Sequence, residues 1–258
     1  MAIDLLKAQS GQQALGTFAR TFEMEYPDDR EESVRRVLSG KDFPLDDLPE
    51  EFNPRLIVDI GANAGASTLY FHSHFPDAKI ISYEPSVYNF PFLETNTAGL
   101  RNVTTVNCAL SNESGLRPLF YGTGFQSRTF SLLEFTENRG REMVEVRRAS
   151  EEFIARKITQ IAILKVSAEA CEFNILADLF ENVPNLSVLF LYVEYHGGTV
   201  REMLTQMLGR EYECKDLNVV GKRHATLRFT NRAFLKWLNS RPSEQREQRH
   251  VMPRRRAA

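Results

Sequence analysis

The sequence predicts a doubly wound α/β domain, and three observations predict it. From about residue 55 onward, β-branched and aliphatic runs alternate with segments of helical spacing. The apolar runs in the strand segments are nearly continuous, as in strands covered on both faces. The first strand, RLIVDI, leads directly into a glycine-bearing turn, GANAG, and then into a helix-like segment, ASTLYFHSHF. That strand–turn–helix unit opens doubly wound sheets.

Residues 1–50 read as a helical, amphipathic N-terminal extension. IDLLKAQSGQQALGTFARTF spaces Leu5, Leu6, Leu15, Phe18 and Phe22 near a helical period, and DDREESVRRVL makes a second, charged helix. FPLDDLPEEFNP is a Pro- and Asp-rich linker to the first strand. Residues 51–240 form the main domain. After RLIVDI and ASTLYFHSHF come the strand AKIISYEP and the helix SVYNFPFLETNTAG, interrupted near Pro91. NVTTVNCAL is a third strand, followed by a polar stretch, SNESGLRPLFYGTGFQSRTFSLLEF, and an extra strand, MVEVRRAS. SEEFIARKI is a helix, QIAILKVSA a strand, CEFNILADLFENV a helix, LSVLFLYVEYH a strand and REMLTQMLGRE a helix. YECKDLNVV and HATLRFTN close the sheet as an antiparallel pair, and RAFLKWLN is a last helix. Residues 241–258 carry six arginines and almost nothing apolar, and are expected to be a disordered basic tail.

The chain has 258 residues, enough for one large domain with an extension. Its formal charge of −2 gives no reason to expect a nucleic-acid partner. The most apolar stretch, SVLFLYVEY, is too short to span a bilayer, so no membrane partner is expected. Cys108, Cys171 and Cys214 lack metal-type spacing and read as free thiols of a cytoplasmic protein.

The turn selects among ligands. A dinucleotide loop wants G-x-G-x-x-G, with a middle glycine where backbone meets pyrophosphate. Here Gly61-Ala62-Asn63-Ala64-Gly65 puts Asn63 at that middle position, and no Gly-Lys-Ser/Thr follows to make a Walker loop. S-adenosylmethionine carries no phosphate and suits the turn better, with Asp59 facing its amine and the N-terminus of the next helix, at Ser67, favouring its carboxylate. Glu84, in SYEP before Pro85, ends the second strand where ribose hydroxyls would lie, and Asn107, Cys108 and Ala109 end the third, where adenine would lie. Singly, Asp59 is as readily a loop-capping acid and Glu84 a solvated strand end. In this order, ligand binding is the better reading.

These residues resemble a known family. IVDIGANAGASTL, SYEPS, NVTTVNCALSNESG, AILKVSAEACEFNIL and YVEYHG follow the order of motifs in FkbM-type S-adenosylmethionine-dependent methyltransferases, over about residues 55–200. The resemblance implies a class I methyltransferase fold, Rossmann-like, with a seven-stranded sheet whose last strand is antiparallel. It also implies methyl transfer, usually to oxygen, on sugars, polyketides or other secondary metabolites. The chain departs from the family at the end of the fourth strand. Where the family reads Lys-Ile-Asp-x-Glu-Gly, this chain reads Lys165-Val166-Ser167-Ala168-Glu169-Ala170. Glu194 and His196 keep the Glu-x-His at the end of the fifth.

Methyl transfer to a hydroxyl needs an acceptor oxygen held in line and help with its proton. His196, with a side-chain pKa near neutrality, is the first candidate base, against a histidine that only bonds backbone before Gly197-Gly198. Glu169 orients the acceptor or acts as base, unless it is only an N-terminal helix carboxylate. Lys165 neutralises that cluster, unless it forms a structural ion pair. No metal is expected, because Ser167 stands where metal-assisted relatives place an Asp. The TGFQSRTFSLLEF segment, with Arg128, is expected to face a small-molecule acceptor, and the N-terminal helices to form a lid. The expected function is metal-free O-methylation of a small molecule, with N-methylation or non-catalytic cofactor binding as alternatives.

Overall fold

The computed structural model describes residues 24–27, 30–48, 52–122, 130–134, 140–196, 198–220 and 224–240. The helix expected before residue 23 and the Arg-rich tail lie outside the described residues. Five parallel strands build the central sheet: β1 (Leu56–Ile60), β2 (Lys79–Tyr83), β3 (Val103–Val106), β8 (Gln160–Val166) and β9 (Ser187–His196). Two more, β10 (Tyr212–Val220) and β11 (His224–Asn231), complete the order β3-β2-β1-β8-β9-β11-β10. Strand β11 runs antiparallel between β9 and β10, so the chain's last strand is the reversed one. The strand order reverses direction at β1, whose neighbours are β2 and β8, and crevices at such switch points take ligands at the strand C-termini.

Strict alternation along the strands explains the two apolar layers. Val58, Ile60, Leu164, Val166, Leu191 and Val193 face α4 (Ala149–Ala155), α5 (Glu172–Asn182) and α6 (Gly198–Leu208). Ile57, Ile80, Ile163, Phe190 and Tyr192 face the other way, toward α2 (Ala66–His74), α7 (Arg232–Asn239) and Phe43, Leu45, Leu48 and Phe52. Each fully buried side chain of this size contributes about 1.5–3 kcal/mol of transfer free energy. The Pro- and Asp-rich stretch read as a linker joins this second layer. Phe43 is buried against Phe71 and Tyr192, and the Tyr192 hydroxyl donates to the Pro44 carbonyl at 2.7 Å. Ahead of it, α1 (Glu31–Leu38) packs on α2 through Val34 and Leu69.

Three expectations are corrected. NVTTVNCAL is two strands, because the chain kinks at Asn107–Cys108 and β4 (Ala109–Ser111) leaves for a second sheet. The polar stretch after it holds β5 (Gly115–Tyr121) and β6 (Phe130–Ser131), which join β7 (Gly140–Arg148) and β4 in a four-stranded sheet, β4-β7-β5-β6. Its buried face, Ala109, Leu119, Val144 and Val146, is small and interrupted by charges, which hides the strand period in the sequence. Pro91 does not interrupt α3 (Phe90–Thr97) but sits in its first turn, where a missing N–H costs nothing. The residues before it, Ser86 to Tyr88, form a turn instead, with the Ser86 amide donated to Glu84 and the Tyr88 amide to the Ser86 hydroxyl.

Candidate functional site

A cavity opens at the C-terminal edge of the central sheet, at the switch point. Its walls include the turn after β1, the ends of β2 and β8, the β3–β4 kink, α1 and the second sheet. The turn is bare backbone by necessity. Gly61 has φ +77°, and a Cβ there would lie 1.9 Å from the Ser167 carbonyl oxygen. The Gly61 and Ala62 amides both donate to the Tyr83 carbonyl at 2.9 Å. Asn63, also in the left-handed region at φ 53°, is of a residue type that tolerates it. Gly65 caps α2 at φ 95°, and the side chain of Asn96 on α3 donates to the Ala64 carbonyl at 2.7 Å. The same amide donates to the Glu25 carbonyl, tying the N-terminal stretch to the turn.

Glu84 is buried at the cavity wall. One oxygen accepts from the Asn63 amide at 2.8 Å and the other from the Ser86 amide at 3.0 Å. Burial pushes its carboxyl up from the ordinary value, and the hydrogen bonds from Ser86, Asn63 and Asn89 act against that. Pro85, Cys108, Ala109 and Leu110 make an apolar wall beside it. Burial pushes the Cys108 thiol up to about 12, so it is a packed thiol and not a nucleophile.

Several expected site residues have other partners. Asp59 is fully buried, is not in the cavity wall, and its Oδ2 accepts from Ser67 at 2.6 Å and Thr68 at 2.8 Å. Asp59 Oδ1 lies 3.0 Å from Lys165 Nζ. Alternation explains this, since Asp59 follows Ile57 on the α2 face and not on the open edge. Ser67 lines the cavity, but its hydroxyl is given to Asp59. Asn107 is not in the wall either. Its amide donates to the Glu84 carbonyl at 2.8 Å and the Pro85 carbonyl at 3.1 Å, latching two strand ends together. Lys165 neutralises Asp59 and not the acidic cluster, and it donates to the Gly61 carbonyl at 2.6 Å.

Ser167, Glu169 and Glu194, from the ends of β8 and β9, also line the cavity. The Ser167 hydroxyl donates to Glu194 Oε2 at 2.7 Å. Glu169 and Ala170 have φ 47° and 77°, consecutive left-handed residues without a glycine. Their loop is held by Ser131 of β6, which donates to the Glu169 carbonyl at 2.7 Å, and by Glu172, which accepts from the Ala168 and Ala170 amides. His196 ends β9 two residues beyond Glu194, and its side chain, like Arg128, lies outside the described residues. Phe130 and Leu132, from the stretch expected to face the acceptor, do line the cavity.

Sequence reasoning passed over Glu194 as a site group in its own right, although a lone acid closing the apolar run SVLFLYVEY is a signal. It also missed Arg30 and Asp42, which line the cavity from the N-terminal region, because nothing local marks them. Arg30 is buried, with its guanidinium 5.9 Å from the Phe130 ring centre.

Residues 59–214 match the model of the methyltransferase FkbM domain. The chain is 34% identical over 90 residues to the methyltransferase sdnD of Sordaria araneosa, a stretch covering 34% of each protein. It is 26% identical over 187 residues to the 31-O-demethyl-FK506 methyltransferase FkbM of Streptomyces tacrolimicus, covering 61% of this chain and 72% of the relative. Among solved structures, the methyltransferase FkbM of Methylobacillus flagellatus KT superposes with a TM-score of 0.53 at 17% identity, covering 74% of this chain and 47% of the other. The match thus spans about a third of the Sordaria protein and under half of the Methylobacillus chain.

Proposed function

The chain belongs to the FkbM methyltransferase domain family, and from that premise we propose that it methylates a hydroxyl oxygen of a small molecule using S-adenosylmethionine. The observation that carries the cofactor reading is the pairing of Glu84 with the bare turn. A buried carboxylate on the wall of a cavity accepts the Asn63 amide with one oxygen and the Ser86 amide with the other, and its remaining lone-pair capacity is available to a ribose hydroxyl. Beside it, the apolar patch of Pro85, Cys108 and Ala109 suits a flat base. Ala64, Ala66 and Ser67 bring the N-terminal end of α2 into the wall, which favours a carboxylate. The cavity residues therefore fit the cofactor's ribose, base and amino-acid parts. Bound there, S-adenosylmethionine supplies a methyl group activated by its sulfonium.

The acceptor end falls to Glu194, Glu169 and His196. Glu194, held by Ser167, orients the acceptor hydroxyl, and His196 takes its proton. Ser167 thus fills the place of the family Asp by steering a neighbouring carboxylate. Phe130 and Leu132 give that end apolar walls, which suits a largely apolar acceptor. The curated relative of Streptomyces tacrolimicus, named for an FK506 substrate, supports an acceptor from secondary metabolism.

Mass spectrometry of hydroxylated small molecules incubated with the protein and methyl-labelled S-adenosylmethionine tests the proposal. The expected result is a gain of one labelled methyl on oxygen. Methylation only of amines would move the reading to N-transfer. Firm cofactor binding without turnover on any acceptor would favour a binding protein, the reading that Ser167 and Ala170 motivate.

A further inference from the structure

A second cavity, of about 490 Å³, opens at the opposite edge of the central sheet, where the strands begin. Leu56, Gln160 and Ser187 in its wall are the first residues of β1, β8 and β9, whereas the cavity described above takes in the far ends of the same strands. At a rise of about 3.3 Å per residue, the length of β8 puts roughly 20 Å between the two openings. The volume lies within the range of small-molecule pockets. One side of this second cavity is aromatic. The Phe234 and Trp237 rings of α7 stack at 5.6 Å between centres, and Phe52 meets Phe234 at 6.3 Å and Phe190 at 5.1 Å. Four polar side chains share the wall, Asn53, Arg55, Gln160 and Ser187. None of the four makes a side-chain hydrogen bond or ion pair with another described residue. Arg55 is the only charged residue among the described wall residues.

We infer that this second cavity binds a planar aromatic carboxylate, independently of the cavity at the switch point. An apolar slot with one cation in its wall selects a ligand with an apolar body and a single negative charge. A neutral hydrocarbon would leave the polar side chains unanswered, and a dianion would meet only one cation. The Arg55 guanidinium offers donors in the fork that matches a carboxylate, and the amides of Asn53 and Gln160 add donors for its remaining lone pairs. A flat ring system packs face-on or edge-on against Phe234 and Trp237. Ala162 supplies the room, as the one small side chain in the run Ile161-Ala162-Ile163-Leu164. A packing gap beneath a surface helix would take apolar molecules without regard to charge, whereas a carboxylate site prefers the anion and loses that preference with Arg55.

Calorimetric titration of the full-length protein with 2-naphthoate, and with 2-naphthamide as its neutral counterpart, tests this. Trp237 is the single tryptophan of the chain, so its fluorescence reports on this cavity directly. The expected result is one saturable site for 2-naphthoate, with a change in Trp237 emission over the same concentration range. Its affinity should exceed that of 2-naphthamide by about fivefold, the upper range for a solvent-exposed ion pair. Arg55→Gln should bring 2-naphthoate down to the affinity of the amide. Ala162→Leu, which fills the slot, should abolish binding of both. Arg55 is exposed, so Arg55→Gln remains readable even where Ala162→Leu does not fold. Saturating S-adenosylhomocysteine should leave the 2-naphthoate affinity unchanged. The inference is overturned by an absence of saturable binding, by an affinity that Arg55→Gln leaves as it was, or by displacement of 2-naphthoate by S-adenosylhomocysteine, which would put the naphthoate in the other cavity.

Discussion

At the scale of single residues, the site depends on a few groups whose surroundings assign their work. Glu84 is a strand-end acid in the sequence, and in the fold it is the buried acceptor that fastens the Asn63 and Ser86 amides. Glu84→Ala should weaken S-adenosylhomocysteine binding by about 1.5–3 kcal/mol, the range for hydrogen bonds to a charged group, as read by calorimetry. An unchanged dissociation constant in the folded variant would mean that the ribose is held elsewhere. Ala170, where the family has glycine, adopts φ 77°. Ala170→Gly should therefore raise stability by up to roughly 1 kcal/mol in chemical denaturation, since the left-handed conformation penalises a Cβ. A destabilised variant would show that the alanine's lower unfolded-state entropy outweighs that strain. His196→Ala, assayed with an accepted substrate, should lower the methyl-transfer rate by roughly 10²–10⁴-fold, the usual worth of a general base. Its cofactor affinity should hold. Full activity would pass the proton to Glu169 or Glu194.

At the scale of elements, contacts between segments far apart in the chain fix the geometry of the cavity. Asn96 on α3 holds both the Ala64 carbonyl in the turn and the backbone of Glu25. Residues 42–48 are likewise bound to the last two strands, where the guanidinium of Arg228 on β11 lies 2.6 Å from Asp47 Oδ2 and Lys215 on β10 lies 3.4 Å from the same atom. The hydrogen bond from Arg228 holds the Asp47 carboxyl below its ordinary value of 3.8, against partial burial. A depressed folded-state value means that this pair's stabilisation is fully present above the unfolded value and is lost as pH falls through the folded one. Asp47→Asn should thus cost roughly 1 kcal/mol near pH 7, within the range for a partly exposed pair. The gap between variant and parent should close below about pH 3.8 in denaturation curves. A gap that persists at low pH would assign the loss to packing. The second sheet contributes in the same manner, since Ser131 of β6 holds the Glu169 carbonyl and Leu119 and Phe130 supply cavity wall.

At the scale of the whole molecule, ligand binding at the switch point should be visible as global stability. Saturation with S-adenosylhomocysteine at about a hundred times its dissociation constant should add about 2.7 kcal/mol. For a chain of this size that is a rise of roughly 5–10 °C in Tm, whereas NAD should leave Tm unmoved. A rise with NAD alone would return the turn to the dinucleotide class. Much of this architecture was legible in the sequence, for a physical reason. Strand and helix periods, the Gly61 and Gly65 turn and the strand-end Glu84 are properties of residues close together in the chain, and local sterics and burial act on them directly. The β3–β4 kink at Asn107, the second sheet and the entry of Arg30 and Asp42 into the cavity wall were not legible in that way. Nor was the role of Asp59, which sits in the most recognisable motif of the chain yet turns inward to a lysine 106 positions later. By itself the sequence determined the class of fold, the bare turn and the acid beyond it. Only the tertiary structure decided which groups meet, because strand register and the alternation of faces bring Asp59 to Lys165 and Ser167 to Glu194, and no spacing along the chain records those distances.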